Sequence, residues 1–227
     1  ASGIAQLDER EAMEVSQAVI GTIPADFTLL DRDSKPVRLS DYRGKPLLVS
    51  FIYTGCFTIC PTQTRMLQKA VRGLEKVVGP DEFNVVSVGF NQPFDSPAAM
   101  RAFARENLIN HPNWEFLSPH HKHVAALTQA YGFQYVQTPA GFDHIVGVTV
   151  VDADGRRIPW TEVSHISDDE MRELMRDIVN RLYTFHLCAD DPKVQAEIEK
   201  WMAVAGKWDE PEIDQRMIGR RSTQPGT

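Results

Sequence analysis

Cys56 and Cys60 stand four residues apart in the run YTGCFTICP at 53–61. Two thiols at that spacing have two chemical uses. A chain that bends between them brings their α-carbons within the roughly 4.4–6.8 Å that a disulfide requires, which allows a dithiol–disulfide cycle. The same bend can aim two thiolates into one small volume, where they chelate a soft metal ion. The only other cysteine is Cys188. Three cysteines are too few for a disulfide-stapled scaffold, so the close pair reads as chemistry rather than as structure.

The elements around the pair decide how it is presented. LLVSFIY at 47–53 is apolar on both faces and predicts a central buried strand. A helix is expected from about Pro61 to Val78, ended by Gly79-Pro80. The cysteines therefore fall at a strand-to-helix junction. Unpaired N–H groups and the positive end of the helix dipole should stabilise a thiolate there and lower a cysteine pKa. Pro61 disfavours helical geometry in the residue before it. Cys60 is thus expected at or just before the N-cap, with Cys56 in the loop above.

The rest of the chain supplies an α/β frame. Residues 6–20 predict a short helix, and 26–30 with 36–39 a hairpin around Asp31-Arg32-Asp33-Ser34. FNVVSVG at 83–89 predicts a second buried strand. Ser96-Pro97 opens a helix to about Leu108, 114–117 a short strand, and Ser118-Pro119 a third helix ending near Gly132. Residues 145–151 and 157–163 form a hairpin around Asp152-Ala153-Asp154-Gly155. Ser167 and Glu170 cap a last amphipathic helix through Leu182. This order predicts an α/β, thioredoxin-like fold with an N-terminal helix and β-hairpin and added C-terminal helices. The expected division is a helical arm at 1–21, the main domain at 22–185, and a C-terminal extension at 186–227. Within that extension a helix begins near Asp191-Pro192, and 209–227 reads as extended or disordered.

Composition narrows the function classes. The 227 residues carry a net charge of −7, with 42% hydrophobic and 24% charged residues, values ordinary for a soluble domain. No nucleic-acid partner is expected, because such partners need a concentrated basic face. No apolar run approaches the ~20 residues of a membrane span. Ala1 is followed by neither a basic nor an apolar leader region, so no signal peptide is expected within the sequence.

The cysteine motif resembles that of the Sco/SenC family, thioredoxin-fold proteins that handle copper. VRLSDYRGKPLLVSFIYTGC at 37–56, VVSVGFNQPFDSPAAMRAFA at 85–104 and WEFLSP at 114–119 read like that family, as does the DH pair in GFDHIVGVTVVDADG at 141–155. The resemblance covers about residues 17–155. It departs from the family where FNQPFDSP replaces a D-P-x-R-D-T-like run, with Asp95 kept at the match, and it fades after Gly155. It implies a copper ion, Cu(I) or Cu(II), held by Cys56, Cys60 and His144. Asp143 would orient the imidazole or tune its basicity from behind. It further implies a metallochaperone that passes copper to a subunit of a respiratory oxidase of the cytochrome c oxidase CuA type, or to another copper or thiol protein. The compartment would be the periplasm or another extracytoplasmic space, with room for a membrane tether in a removed segment. Two thiolates and one imidazole form a soft, low-coordinate set that suits copper, whereas structural zinc normally takes four ligands. The competing reading is a thiol–disulfide oxidoreductase that reduces a partner's cysteines.

Two look-alikes fit less well. Thioredoxin-type reductases use C-x-x-C with a proline opposite, and here no proline stands immediately before the strand expected at 145. Peroxiredoxins share the LSDYRGKP run but need P-x-x-x-T-x-x-C, which neither cysteine satisfies. His120, His121 and His123 read as an exposed polar first turn, with a secondary metal site as the alternative. His165 and His186 have no evident partner, Cys188 reads as a buried free thiol, and Trp160, Trp201 and Trp208 read as packing residues.

Overall fold

Six successive buried residues make Leu47–Ile52 (β3) the middle of the sheet, as its two-sided apolar run requires. The computed structural model describes residues 7–56, 59–139, 141–145 and 147–158. On one side β3 pairs in parallel with β4 (Asn84–Gly89), which pairs in parallel with β5 (Trp114–Pro119). On the other it pairs antiparallel with β8 (Val148–Val151), followed by β9 (Arg157–Ile158). The hairpin of β1 (Thr28–Leu30) and β2 (Pro36–Arg38) adds to the free edge of β5. The resulting order is β2-β1-β5-β4-β3-β8-β9. Parallel pairing puts the ends of β3, β4 and β5 on one edge. Ligands bind at such an edge in open α/β sheets, and the cysteine loop lies there.

Helix α2 (Ile59–Val78) buries Leu67, Ala70, Val71 and Leu74, a stripe at helical spacing laid against the core. Helix α3 (Pro97–Glu106) begins as expected: the Ser96 hydroxyl accepts from the Ala99 amide and Pro97 stands in the first turn. Helix α1 (Glu9–Ala18) is capped by Asp8. It sits so close to Gly132 (φ +66°) that a Cβ there would come 2.7 Å from Ser16 Cα.

Three expectations need correction. Helix α2 starts two residues before Pro61, so Cys60 is its second residue rather than its cap. Ser118 and Pro119 belong to β5, because they pair with Leu30 and Leu29, and the next helix α4 (Val124–Ala130) follows a 3₁₀ turn at His121–His123. Residues 135–144, for which the sequence suggested no element, form a separate hairpin of β6 (Tyr135–Thr138) and β7 (Gly141–His144). The main sheet resumes at Val148 rather than at residue 145. The predicted helices after residue 158, with Trp160, His165, His186, Cys188, Trp201 and Trp208, lie outside the described residues.

A buried carboxylate ties the edge together. Asp95 is fully buried, and one of its oxygens accepts from both the amide and the hydroxyl of Thr54, each at 2.7 Å. The other accepts from the Asn91 amide at 2.7 Å. Burial outweighs these three donors and leaves the Asp95 pKa above the ordinary carboxylate value. Gly89 permits the approach, since a Cβ there would stand 2.5 Å from Asp95 Cβ. Asp95→Ala would leave two backbone donors and a hydroxyl without their acceptor. It should lower stability by about 3 kcal/mol, read as a shift of the urea unfolding midpoint.

Candidate metal centre

The cysteine loop leaves β3 at Tyr53 and turns at once, with the Cys56 amide donating to the Tyr53 carbonyl at 3.1 Å. Both cysteines are buried, and no disulfide joins them. The Cys60 amide donates to Cys56 Sγ at 3.3 Å, so the start of α2 serves the earlier cysteine. The Cys60 thiol also hydrogen-bonds to Cys56, and the Tyr53 phenol reaches the same sulfur. Three donors thus converge on Cys56 Sγ, which is where negative charge is best accommodated.

The two sulfurs are not equivalent. The hydrogen bond of Cys60 to Cys56, and then its burial, push its pKa well above the usual thiol value, although the Tyr53 amide offsets part of this. The helix terminus does favour a thiolate, but at Cys56 Sγ through the Cys60 amide. Cys60 itself is held as the protonated partner.

His144 ends β7 rather than sitting in a loop. Its Nδ1 lies 2.8 Å from the Ile145 carbonyl oxygen. That oxygen can only accept, so Nδ1 carries the proton and Nε2 keeps its lone pair. Burial holds the imidazole below the ordinary histidine range, while the nearby Cys56 sulfur and Asp143 act weakly the other way. The ring packs among Phe133, Phe90 and Tyr53, at centroid distances of 5.6, 5.8 and 6.1 Å. Asp143 has another partner: its carboxylate accepts from the Leu7 amide at 3.1 Å. The imidazole is oriented by Ile145, and Asp143 reaches it only through its charge.

Two further residues join the halves of the site. The Tyr53 phenol is buried, pushed up to about 12 by burial and by its bond to Cys56, and it accepts from the Phe142 amide on the histidine hairpin. Gly141, at φ +128°, leaves room for it, since a Cβ there would meet Tyr53 Oη at 2.8 Å. Gln63 follows Cys60 by one helical step, is 4% exposed, and donates from Nε2 to the Gly147 carbonyl at 3.3 Å. Sequence reading missed both. The usable signal was a phenol at the end of an apolar strand, because a buried tyrosine hydroxyl needs a partner.

The donor set is two sulfurs and one imidazole with a free lone pair, gathered at one sheet edge. Its chemistry fits a soft ion. Among the described residues, no three His, Cys, Asp or Glu side chains already lie close enough together to hold a metal. His120, His121 and His123 are exposed, with the His120 and His121 ring centroids 4.2 Å apart and His120 Nδ1 accepting from the Lys122 amide.

Comparison with known proteins agrees with this architecture. The mouse mitochondrial SCO2 homologue is 29% identical over 168 residues, covering 71% of this chain and 64% of the relative. A thiol peroxidase of Listeria monocytogenes is 31% identical over 113 residues, 50% of this chain and 60% of that protein. The chain spans about three fifths of the length of these curated relatives. The copper-bound structure of Bradyrhizobium japonicum ScoI superposes with a TM-score of 0.53 at 25% identity, covering 69% of this chain and 98% of that one. The SCO1/SenC family model matches residues 16–180, most of the chain, and the chain belongs to that family.

Proposed function

We propose that this protein is a copper-binding metallochaperone for respiratory oxidase assembly, with Cys56, Cys60 and His144 as the ligands of its cargo. The observation that carries the reading is the state of His144. Its Nδ1–H donates to the Ile145 carbonyl, its pKa is lowered by burial, and Nε2 is left as a neutral donor within electrostatic reach of Cys56. A copper-bound ScoI among the structural neighbours supports the choice of metal. Closing the three ligands around an ion requires the β6–β7 hairpin and the cysteine loop to approach each other. The recipient is a copper-receiving oxidase subunit or another copper or thiol protein, met outside the cytoplasmic membrane. Among the described residues no helix is long and apolar enough to cross a membrane.

The asymmetry of the cysteines favours a second reading, thiol–disulfide exchange. Cys56 Sγ collects the donors and is suited to attack a partner disulfide, while Cys60 stays protonated behind it until it resolves the mixed disulfide. His144 discriminates the two readings. His144→Ala should weaken Cu(I) binding to the reduced protein by at least about a hundredfold, measured by competition with a chromophoric chelator. Reduction of a model disulfide should change little. Unchanged copper affinity would remove His144 from the ligand set.

The buried imidazole also sets a pH dependence in the metal-free protein. Its folded pKa lies below the unfolded value of about 6.5, so the unfolded chain takes up a proton that the folded chain refuses. Stability is therefore whole above pH ~6.5 and falls as pH drops towards the folded pKa. Thermal melts at pH 7.5 and 5.5 should show a smaller loss in His144→Asn than in the parent, and an equal loss would contradict the assignment.

A further inference from the structure

The Tyr53 side chain touches both halves of the site. Its phenol oxygen accepts from the Phe142 amide, next along β7 but one from His144, and its O–H donates to Cys56 Sγ. Its ring stands edge-on to Phe142, Phe90 and His144, at 5.1, 5.5 and 6.1 Å between centroids. Gly141 is bare where the hydroxyl passes. If the phenol's bond to Cys56 is lost, the oxygen and the hairpin amide held by it are free to shift together.

We propose that Tyr53 is a positioning residue that couples the state of Cys56 to the placement of the histidine hairpin. While Cys56 carries a free thiol or thiolate, its sulfur accepts from the phenol, and Phe142 is held by the same oxygen. A sulfur in a disulfide is a weaker acceptor, so closing the Cys56–Cys60 bond loosens the phenol and with it the strand that carries His144. The cysteine pair would thereby signal its oxidation state to the third ligand across the fold. The inference deepens the copper reading and rests on it for one arm of the test only.

Tyr53→Phe keeps the ring and removes the hydroxyl, so the metal-free variant should melt within a few degrees of the parent. The first arm uses no metal. Oxidised glutathione takes two electrons and two protons from the thiols and leaves as two molecules of glutathione, closing the Cys56–Cys60 bond. The Phe142 amide resonance, followed by ¹H–¹⁵N NMR, should move on oxidation of the parent and stay nearly still in Tyr53→Phe. Equal movement in both would overturn the coupling. The second arm adds Cu(II). The variant should show a shifted sulfur-to-copper absorption band, an altered EPR hyperfine splitting and an affinity lower by about tenfold. A spectrum and affinity identical to the parent would overturn the positioning role. A parent that binds no copper would defeat the metallochaperone reading, and the Phe142 resonance would still decide the role of Tyr53.

Discussion

The Asp95 carboxylate holds the cysteine loop to the rest of the edge. Placing an ionisable group in a fully buried position is costly, and its raised pKa is the sign of that cost. The position is tenable because two loops supply the donors, Thr54 from the segment after β3 and Asn91 from the segment after β4. Neither loop belongs to a regular element, so each would otherwise have little to fix its backbone. The shared acceptor makes them one rigid rim. Gln92 adds to it by donating to the Gly89 and Asp95 carbonyls, and Ser118 at the end of β5 donates to the Asp95 carbonyl as well. Cys56 lies two residues beyond Thr54 and inherits that rigidity.

Opposite the rim, the β6–β7 hairpin is held by different physics. Among the described residues it pairs with no strand of the main sheet. Its attachment is mainly aromatic, through Tyr135, Phe142 and His144 packed on Phe90, Phe133 and Tyr53, beside the Leu7–Asp143 and Phe142–Tyr53 hydrogen bonds. Offset and edge-on rings contribute about a kcal/mol per pair and tolerate small sliding better than a hydrogen-bond ladder does. A cysteine side fixed by a carboxylate therefore faces a histidine side fixed by ring packing. The second is the side suited to move when a third ligand closes on a cargo.

How much of this was legible in the sequence follows from how local each signal is. β3 and α2 were readable because two-sided burial and a helical stripe are written into consecutive residues. The cysteine pair was readable from its spacing. The hairpin of β6 and β7 was not, because most of its residues are only partly buried and lack clean alternation. The end of β5 was misread because Ser-Pro is an ordinary helix opening, and only the pairing of Leu29 and Leu30 across the sheet overrides it. Asp95 was noticed as a match without its function being apparent. Its donors lie 41 positions upstream in Thr54 and four upstream in Asn91, and only the fold brings them together.

The acidity of Cys60 shows the same limit in energetic form. The helix-terminus argument was sound as to sign, but it did not say which sulfur would gain. A helix start stabilises charge where its free N–H groups point, and the Cys60 amide points at Cys56 Sγ. Once Cys56 collects that donor, the phenol and the neighbouring thiol, ionising Cys60 as well would put two charges on touching sulfurs in a buried space. One sulfur is thereby prepared to carry charge and the other to keep its proton. Under the proposed function a soft cation would change that balance: its positive charge between the sulfurs would make the second ionisation favourable, and Cys60 would give up its proton as the ion is taken in. Under the proposed function, the low acidity of Cys60 keeps the empty site from carrying two buried negative charges, and the cargo itself supplies the charge that lets the second thiolate form.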